Sequence, residues 1–144
     1  MKTIVKRALR ILEEQARYQS VMANNVNNVK AFLRLKLADK EHEIFAVMFL
    51  TNQHQLIEYE EMFRGTIDSA SVYPREIVKA ALVHNAAAII VSHNHPSGNA
   101  EPSESDKAIT AKIIDACKLL DIRVLDHFIV TTTTAISFAE CGLI

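Results

Sequence analysis

Apolar side chains at Ile4, Val5, Ala8, Leu9, Ile11 and Leu12 repeat at helical spacing and predict an amphipathic helix over residues 3–17. The run Asn24-Asn25-Val26-Asn27-Asn28 interrupts that stripe, and Asn28 is placed to cap a second helix reaching about Leu37. The pattern then changes to short, dense apolar runs. Ile44-Phe45-Ala46-Val47-Met48-Phe49-Leu50 is continuous, as in a strand buried on both faces, and predicts a strand over 43–50. A second strand over 55–63 follows across Thr51-Asn52-Gln53-His54, which reads as a hairpin connection, and Gly65 marks a bulge or turn beyond it.

Pro74 suits the first position of a helix running to about His84, with Arg75 and Glu76 in its opening turn. Ala86-Ala87-Ala88-Ile89-Ile90-Val91 opens a further buried strand over 86–93. Residues 104 to about 120 form a helix whose inward stripe is Ile109, Ile113, Ala116, Cys117 and Leu120. Closing strands over 122–131 and 134–138 flank the short Thr131–Thr134 turn. This alternation predicts an α/β domain over residues 40–144, behind a helical lead-in of residues 1–39.

At 144 residues and 49% hydrophobic, the chain has enough apolar material for one core without covalent staples. The net charge is −1 and the basic residues are scattered, so no global attraction to nucleic acid is expected. Cys117 and Cys141 make neither a metal pattern nor a disulfide framework. Lys6-Arg7 follow Ile4-Val5 directly, unlike a secretory leader, and no apolar run reaches the length of a membrane span. A cytoplasmic protein with no membrane partner is the expectation.

Chemistry concentrates after the 86–93 strand, in His93-Asn94-His95-Pro96-Ser97-Gly98. Side chains at i and i+2 of an extended segment share a face, and Pro96 biases His95 towards extended geometry. Ten residues separate His95 from Asp106. Two imidazoles and a carboxylate are three good zinc ligands, leaving the fourth position for water that marks a catalytic zinc. Taken singly, each has a quieter explanation. A histidine at a strand end is often a hydrogen-bonded structural residue. Ser103-Glu104-Ser105-Asp106 is also a Ser-x-x-Asp helix start, with Ser103 as cap and Asp106 favourable to the dipole. The two readings of Asp106 are compatible, and the three residues as a set favour a metal site.

His-x-His-Pro, the spacing to Asp106 and the Ser three positions before it together resemble the JAMM (MPN+) zinc metalloprotease motif. The flanking sequence is more similar still to the bacterial RadC family, also called UPF0758. That likeness rests on Gly65-Thr66-Ile67-Asp68, Tyr73-Pro74-Arg75-Glu76, the His93–Gly98 run, Leu125-Asp126-His127 and Ser137-Phe138-Ala139-Glu140. It covers about residues 30–144. The resemblance implies a three-layer, mixed-sheet JAMM/MPN domain of cytidine-deaminase-like architecture. It implies one Zn²⁺ per chain held by His93, His95 and Asp106, and a catalytic glutamate at the start of a buried strand, the place of Glu43.

In such a hydrolase a non-ligating carboxylate takes a proton from water and returns it to the leaving group. Ser103 matches the motif serine, whose hydroxyl would hydrogen-bond the developing oxyanion. On sequence, Glu43 also reads as a polar strand-start residue with Glu41 on the same face, and Ser103 as the helix cap already described. His42-Glu43-Ile44-Phe45 does not begin a His-Glu-x-x-His motif, because position 46 is Ala. Asp126-His127 stays outside the expected site, although support of the metal histidines is open to it.

Three departures from the family pattern stand out. RadC relatives carry an N-terminal helix-hairpin-helix region associated with nucleic acid, where this sequence has only the lead-in and no Gly-x-Gly hairpins. Thr131–Thr134 stands where relatives place glycines, and Cys141 where they commonly have a basic residue. The leading expectation is a zinc-dependent hydrolase of peptide or isopeptide-like amide bonds, acting on a protein or peptide-like substrate. The alternatives are a zinc-binding, nucleic-acid-associated protein (DNA repair or nuclease) and a non-catalytic, zinc-containing interaction domain. Deamination is disfavoured, because neither His-x-Glu nor Pro-Cys-x-x-Cys occurs. Neither the substrate nor the oligomeric state is written in the sequence.

Overall fold

Every side chain of Ile44–Leu50 (β1) is buried, and successive residues divide between two cores. Phe45, Val47 and Phe49 pack with Ile77 and Ala81 of α3 (Pro74–Val83) and with Ile109, Ile113 and Cys117 of α4 (Glu104–Lys118). Ala46, Met48 and Leu50 pack with Val29, Phe32, Leu33 and Leu37 of α2 (Val26–Leu37) on the other face. The two-residue period of a strand thus converts one apolar run into the middle layer of an α/β/α stack. Each large side chain enclosed there contributes about 1.5–3 kcal/mol of transfer free energy.

The computed structural model describes residues 2–18, 25–67 and 71–144. Asn24 of the Asn-rich break and Asp68 of the Gly65–Asp68 motif lie outside the described residues. Among the described residues the sheet has five strands in the order β2-β1-β3-β4-β5. The others are β2 (Leu56–Arg64), β3 (Ala88–Asn94), β4 (Arg123–Val130) and β5 (Ala135–Ser137). Pairing is antiparallel for β1/β2, β1/β3 and β4/β5, and parallel for β3/β4, whose crossover is α4. The mixed α/β fold expected from the alternation is what forms. No helix among the described residues is long and apolar enough to cross a membrane.

The helical lead-in contributes directly to this stack. α1 (Thr3–Tyr18) rests on α2, with Leu12 against the cluster of Val29, Phe32, Leu33 and Leu37, and an ion pair joins Glu13 to Lys36 of α2. The cap of α2 is Asn25 rather than Asn28. The Asn25 side chain accepts the N–H groups of Asn27 at 3.1 Å and Asn28 at 3.3 Å. Several asparagines in a row can all cap, and the earlier start brings Val26 and Val29 onto the sheet. The other boundaries hold or shift by one or two residues. Ala86 and Ala87 precede β3, with their N–H groups donated to Ala81 and Leu50, and β5 closes at Ser137 as the chain turns.

Candidate metal centre

β3 ends in Ser92, His93 and Asn94, all buried. Alternation puts His93 on the face of Ile89 and Val91, towards α4, while Asn94 points the other way. His95 continues the line beyond the strand, its N–H donated to Val130 of β4 at 2.8 Å. The chain then turns sharply. The Gly98 N–H returns to the His95 carbonyl at 3.1 Å, and Gly98 adopts φ +88°, a conformation that suits glycine. This turn carries the chain from the carboxyl end of β3 to the amino end of α4, the place where open α/β folds put their ligands.

α4 begins with the expected cap. Ser103 Oγ accepts the Asp106 N–H at 3.0 Å, and the Ser103 N–H is donated to Asp106 Oδ2 at 2.9 Å. The same carboxylate faces both imidazoles: Asp106 Oδ1 lies 3.2 Å from His93 Nε2, and Oδ2 lies 3.5 Å from His95 Nε2. The two Nε2 atoms are 2.9 Å apart. One ligand atom from each of the three residues lies within 4.8 Å of the others, close enough for the groups to converge on a single ion. His93, His95 and Asp106 could therefore hold a metal ion, and two imidazole nitrogens with one carboxylate oxygen suit zinc.

Asp106 is buried, which by itself would raise its pKa. The hydrogen bonds from His93 and His95 outweigh burial and hold the carboxyl well below its usual range. The hydrogen bond to Asp106 raises His95 above the ordinary imidazole value, against the opposing effect of burial. His95 Nδ1 lies 2.6 Å from the Asn99 carbonyl, which can only accept, so Nδ1 carries a proton and Nε2 is the nitrogen turned to Asp106 and His93.

Glu43 immediately precedes β1 and is half-buried. Its Oε2 accepts the Ile67 N–H at 2.7 Å, and its carbonyl accepts the Gly65 N–H at 3.0 Å. It lines a groove of about 370 Å³ with Glu41, His42, Gly65, Thr66 and Pro96, the residue after His95. The Glu43 charge also adds, after the Asp106 hydrogen bond, to the raised His95 pKa.

Three residues absent from the expected site belong to its surroundings. Asn94 Oδ1 accepts the Ile44 N–H at 2.6 Å and its Nδ2 donates to the His42 carbonyl at 2.9 Å, clamping the segment that carries Glu43 to the strand that carries His93. His127 of β4 is fully buried, with Nε2 2.8 Å from His93 Nδ1 and Nδ1 2.5 Å from Thr110 Oγ1. Burial, with the nearby His93, pushes the His127 pKa well below the usual imidazole value. Thr110, one helical turn after Asp106, was legible only by its i+4 spacing. Asp126 turns away from the cluster to accept the N–H groups of His127 at 2.7 Å and Ala139 at 3.0 Å, together with the Ser137 hydroxyl.

Comparison with known proteins gives this geometry a context. Residues 23–143 match the RadC-like JAB domain family. A UPF0758 protein of Vibrio cholerae is 54% identical over 139 residues, covering 96% of this chain and 87% of that protein. A UPF0758 protein of Methylibium petroleiphilum is 55% identical over 126 residues, 88% of this chain and 57% of its own length. One from Marinomonas is 49% identical over 144 residues, all of this chain and 64% of the relative. The chain thus spans less than two thirds of the last two relatives.

Proposed function

Because the chain belongs to the RadC-like JAB domain family, we propose that it is a zinc-dependent hydrolase of peptide or isopeptide-like amide bonds, with Glu43 as proton shuttle. The observation that carries this reading is the convergence of His93 Nε2, His95 Nε2 and the Asp106 carboxylate within reach of one metal ion, beside a groove that Glu43 lines.

Bound zinc supplies a Lewis acid and brings the pKa of its water towards neutrality. The remaining steps fall to the chain itself. Glu43, fixed by the Ile67 N–H, accepts a proton from the water that attacks the amide carbon. As the C–N bond breaks, the Glu43 carboxyl returns that proton to the departing nitrogen, and the products are a carboxylate and an amine. Ser103 Oγ uses a lone pair to accept the Asp106 N–H, which leaves its own proton to donate to the oxygen gaining negative charge. The substrate proposed is an extended protein or peptide segment lying in the groove between Glu41-His42-Glu43 and Pro96.

The test is cleavage of a complex peptide library by zinc-loaded protein, read by mass spectrometry. Wild type is expected to cleave, and Glu43→Gln is expected to bind one zinc per chain yet leave the library intact. Equal cleavage by both proteins, or none by either, would overturn the proposal.

A further inference from the structure

We infer that Thr110 and His127 fix the tautomer of His93, keeping a lone pair on His93 Nε2 for the cation. They are positioning residues rather than ligands. The inference rests on the metal-centre reading above and not on the hydrolysis proposed for it.

The order of protons can be followed from Asp106 outward. Thr110 Oγ1 lies 2.7 Å from the Asp106 backbone carbonyl oxygen, which has no proton to give, so the hydroxyl proton must lie between them. That hydroxyl has only one proton. Its 2.5 Å contact with His127 Nδ1 must then be an N–H donated to oxygen. His127 is wholly buried and surrounded by aromatic rings, stacked on Phe138 at 4.4 Å and edge-on to Phe45 at 5.7 Å, an environment that favours the neutral ring. A neutral ring protonated at Nδ1 offers a lone pair at Nε2. His93 Nδ1, 2.8 Å away, is therefore the donor, and His93 Nε2, which faces Asp106 and His95, is the nitrogen left to give its lone pair to a cation.

The circuit begins and ends on Asp106. Its carbonyl sets the first proton and its carboxylate faces the last nitrogen, so the helix that positions one ligand also sets the protonation of another. His95 reaches the same tautomer independently, through the Asn99 carbonyl. The two Nε2 atoms, 2.9 Å apart, thus both face the Asp106 carboxylate, with each Nδ1 proton already committed elsewhere.

Thr110→Val keeps the shape and removes the acceptor for His127 Nδ1. His127 then gains by protonating Nε2 and donating to His93 Nδ1. That moves the His93 proton onto Nε2, where it obstructs the metal. Losing such a partner of a metal-bound histidine typically costs about 10–100-fold in affinity.

The experiment uses the 144-residue chain labelled with ¹⁵N-histidine, zinc-free and in mildly alkaline buffer, with long-range ¹H–¹⁵N spectra reporting the protonated nitrogen of each ring. His93 and His127 are expected to carry their protons on Nδ1. Thr110→Val is expected to move both protons to Nε2 and to weaken zinc binding by about 10–100-fold in competition with a chromogenic chelator, and Thr110→Ser to restore both readings. A purely space-filling role for Thr110 would change the melting temperature and leave the nitrogen shifts alone. A wild-type His93 protonated at Nε2 would overturn the inference without any variant. So would a Thr110→Val protein with a native amide spectrum and undiminished zinc affinity. Nitrogen shifts and zinc affinity read this relay, whereas peptide cleavage reads the hydrolase proposal, so the two can fail separately.

Discussion

Ser103 and Asp106 hold each other at the start of α4, each backbone N–H donated to the other's side chain, at 2.9 and 3.0 Å. The carboxylate that completes this reciprocal cap is also the one that faces His93 and His95. Capping and a place among residues that could hold a metal, compatible readings of Asp106 on sequence, fall on one carboxylate: the cap sets the plane in which it meets the imidazoles.

Ser103→Ala should accordingly have three effects. Loss of the cap costs about 1 kcal/mol, equivalent to about 3 °C in Tm for a chain of this size. Zinc affinity falls as Asp106 loses its orientation. Catalysis falls further, by about 10²–10³ in kcat if the hydroxyl is the oxyanion donor. Ser103→Thr, which can still cap, is expected to spare both the stability and the zinc affinity. Thermal melts and zinc titrations of the pair check this, and an alanine variant as stable as wild type would refute the coupling.

Asn94 is a buried clamp between the two halves of the site, bonded to the Ile44 N–H and the His42 carbonyl. Asn94→Ala leaves those groups unpaired at a cost of about 1–3 kcal/mol. Because His93 and His95 do not depend on that clamp, the variant is expected to keep its zinc stoichiometry while cleavage drops, as Glu43 drifts from the groove. Zinc analysis alongside kcat measurement distinguishes this from general unfolding, which would lose both.

Metal affinity should depend on pH in a defined direction. Binding needs His95 unprotonated, and its pKa lies above the ordinary imidazole value because Asp106 is hydrogen-bonded to it. Protons therefore begin to displace zinc at a higher pH than they would from an unperturbed histidine, and the apparent Kd weakens steadily on acidification. Asp106, whose carboxyl titrates far below its usual range, adds nothing to that dependence near neutrality. Zinc competition titrations across this range check it; an affinity indifferent to pH would contradict it. Stripping the metal should also destabilise the fold, since a ligand at 100 times its Kd contributes about 2.7 kcal/mol.

Much of this was legible in the chain. The period-two division of Ile44–Leu50, the helical stripe Ile109-Ile113-Cys117 and the Ser-x-x-Asp start are local patterns, and they locate both arms of the metal cluster. The His127–His93 contact was not legible, because it depends on the parallel register that sets His127 against Val91 of β3. Asn94 was hidden for a similar reason: its partners lie in a segment about fifty residues earlier, and its meaning appears only when β1 and β3 pair. The Asn25 cap was missed because the winning asparagine is chosen by packing, not by capping strength.

The lead-in poses the last question, since sequence alone separates residues 1–39 from the α/β domain. In the fold, α2 packs across one sheet face: Val29, Phe32, Leu33 and Leu37 enclose Ala46, Met48, Ile90 and Phe128. Phe32 is fully buried and meets Tyr59 edge-on at 5.8 Å. Phe32→Ala is therefore expected to cost about 3–5 kcal/mol, a large share of the 5–15 kcal/mol typical of a domain. Ile11→Ser on α1, where Ile11 is 54% exposed, should be nearly neutral. A chain trimmed to residues 40–144 would expose the apolar face that α2 covers and should not fold. Urea unfolding of the two variants, with an amide spectrum of the trimmed chain, decides the matter. A trimmed chain that folds and binds zinc would show the sheet to be independent of α2.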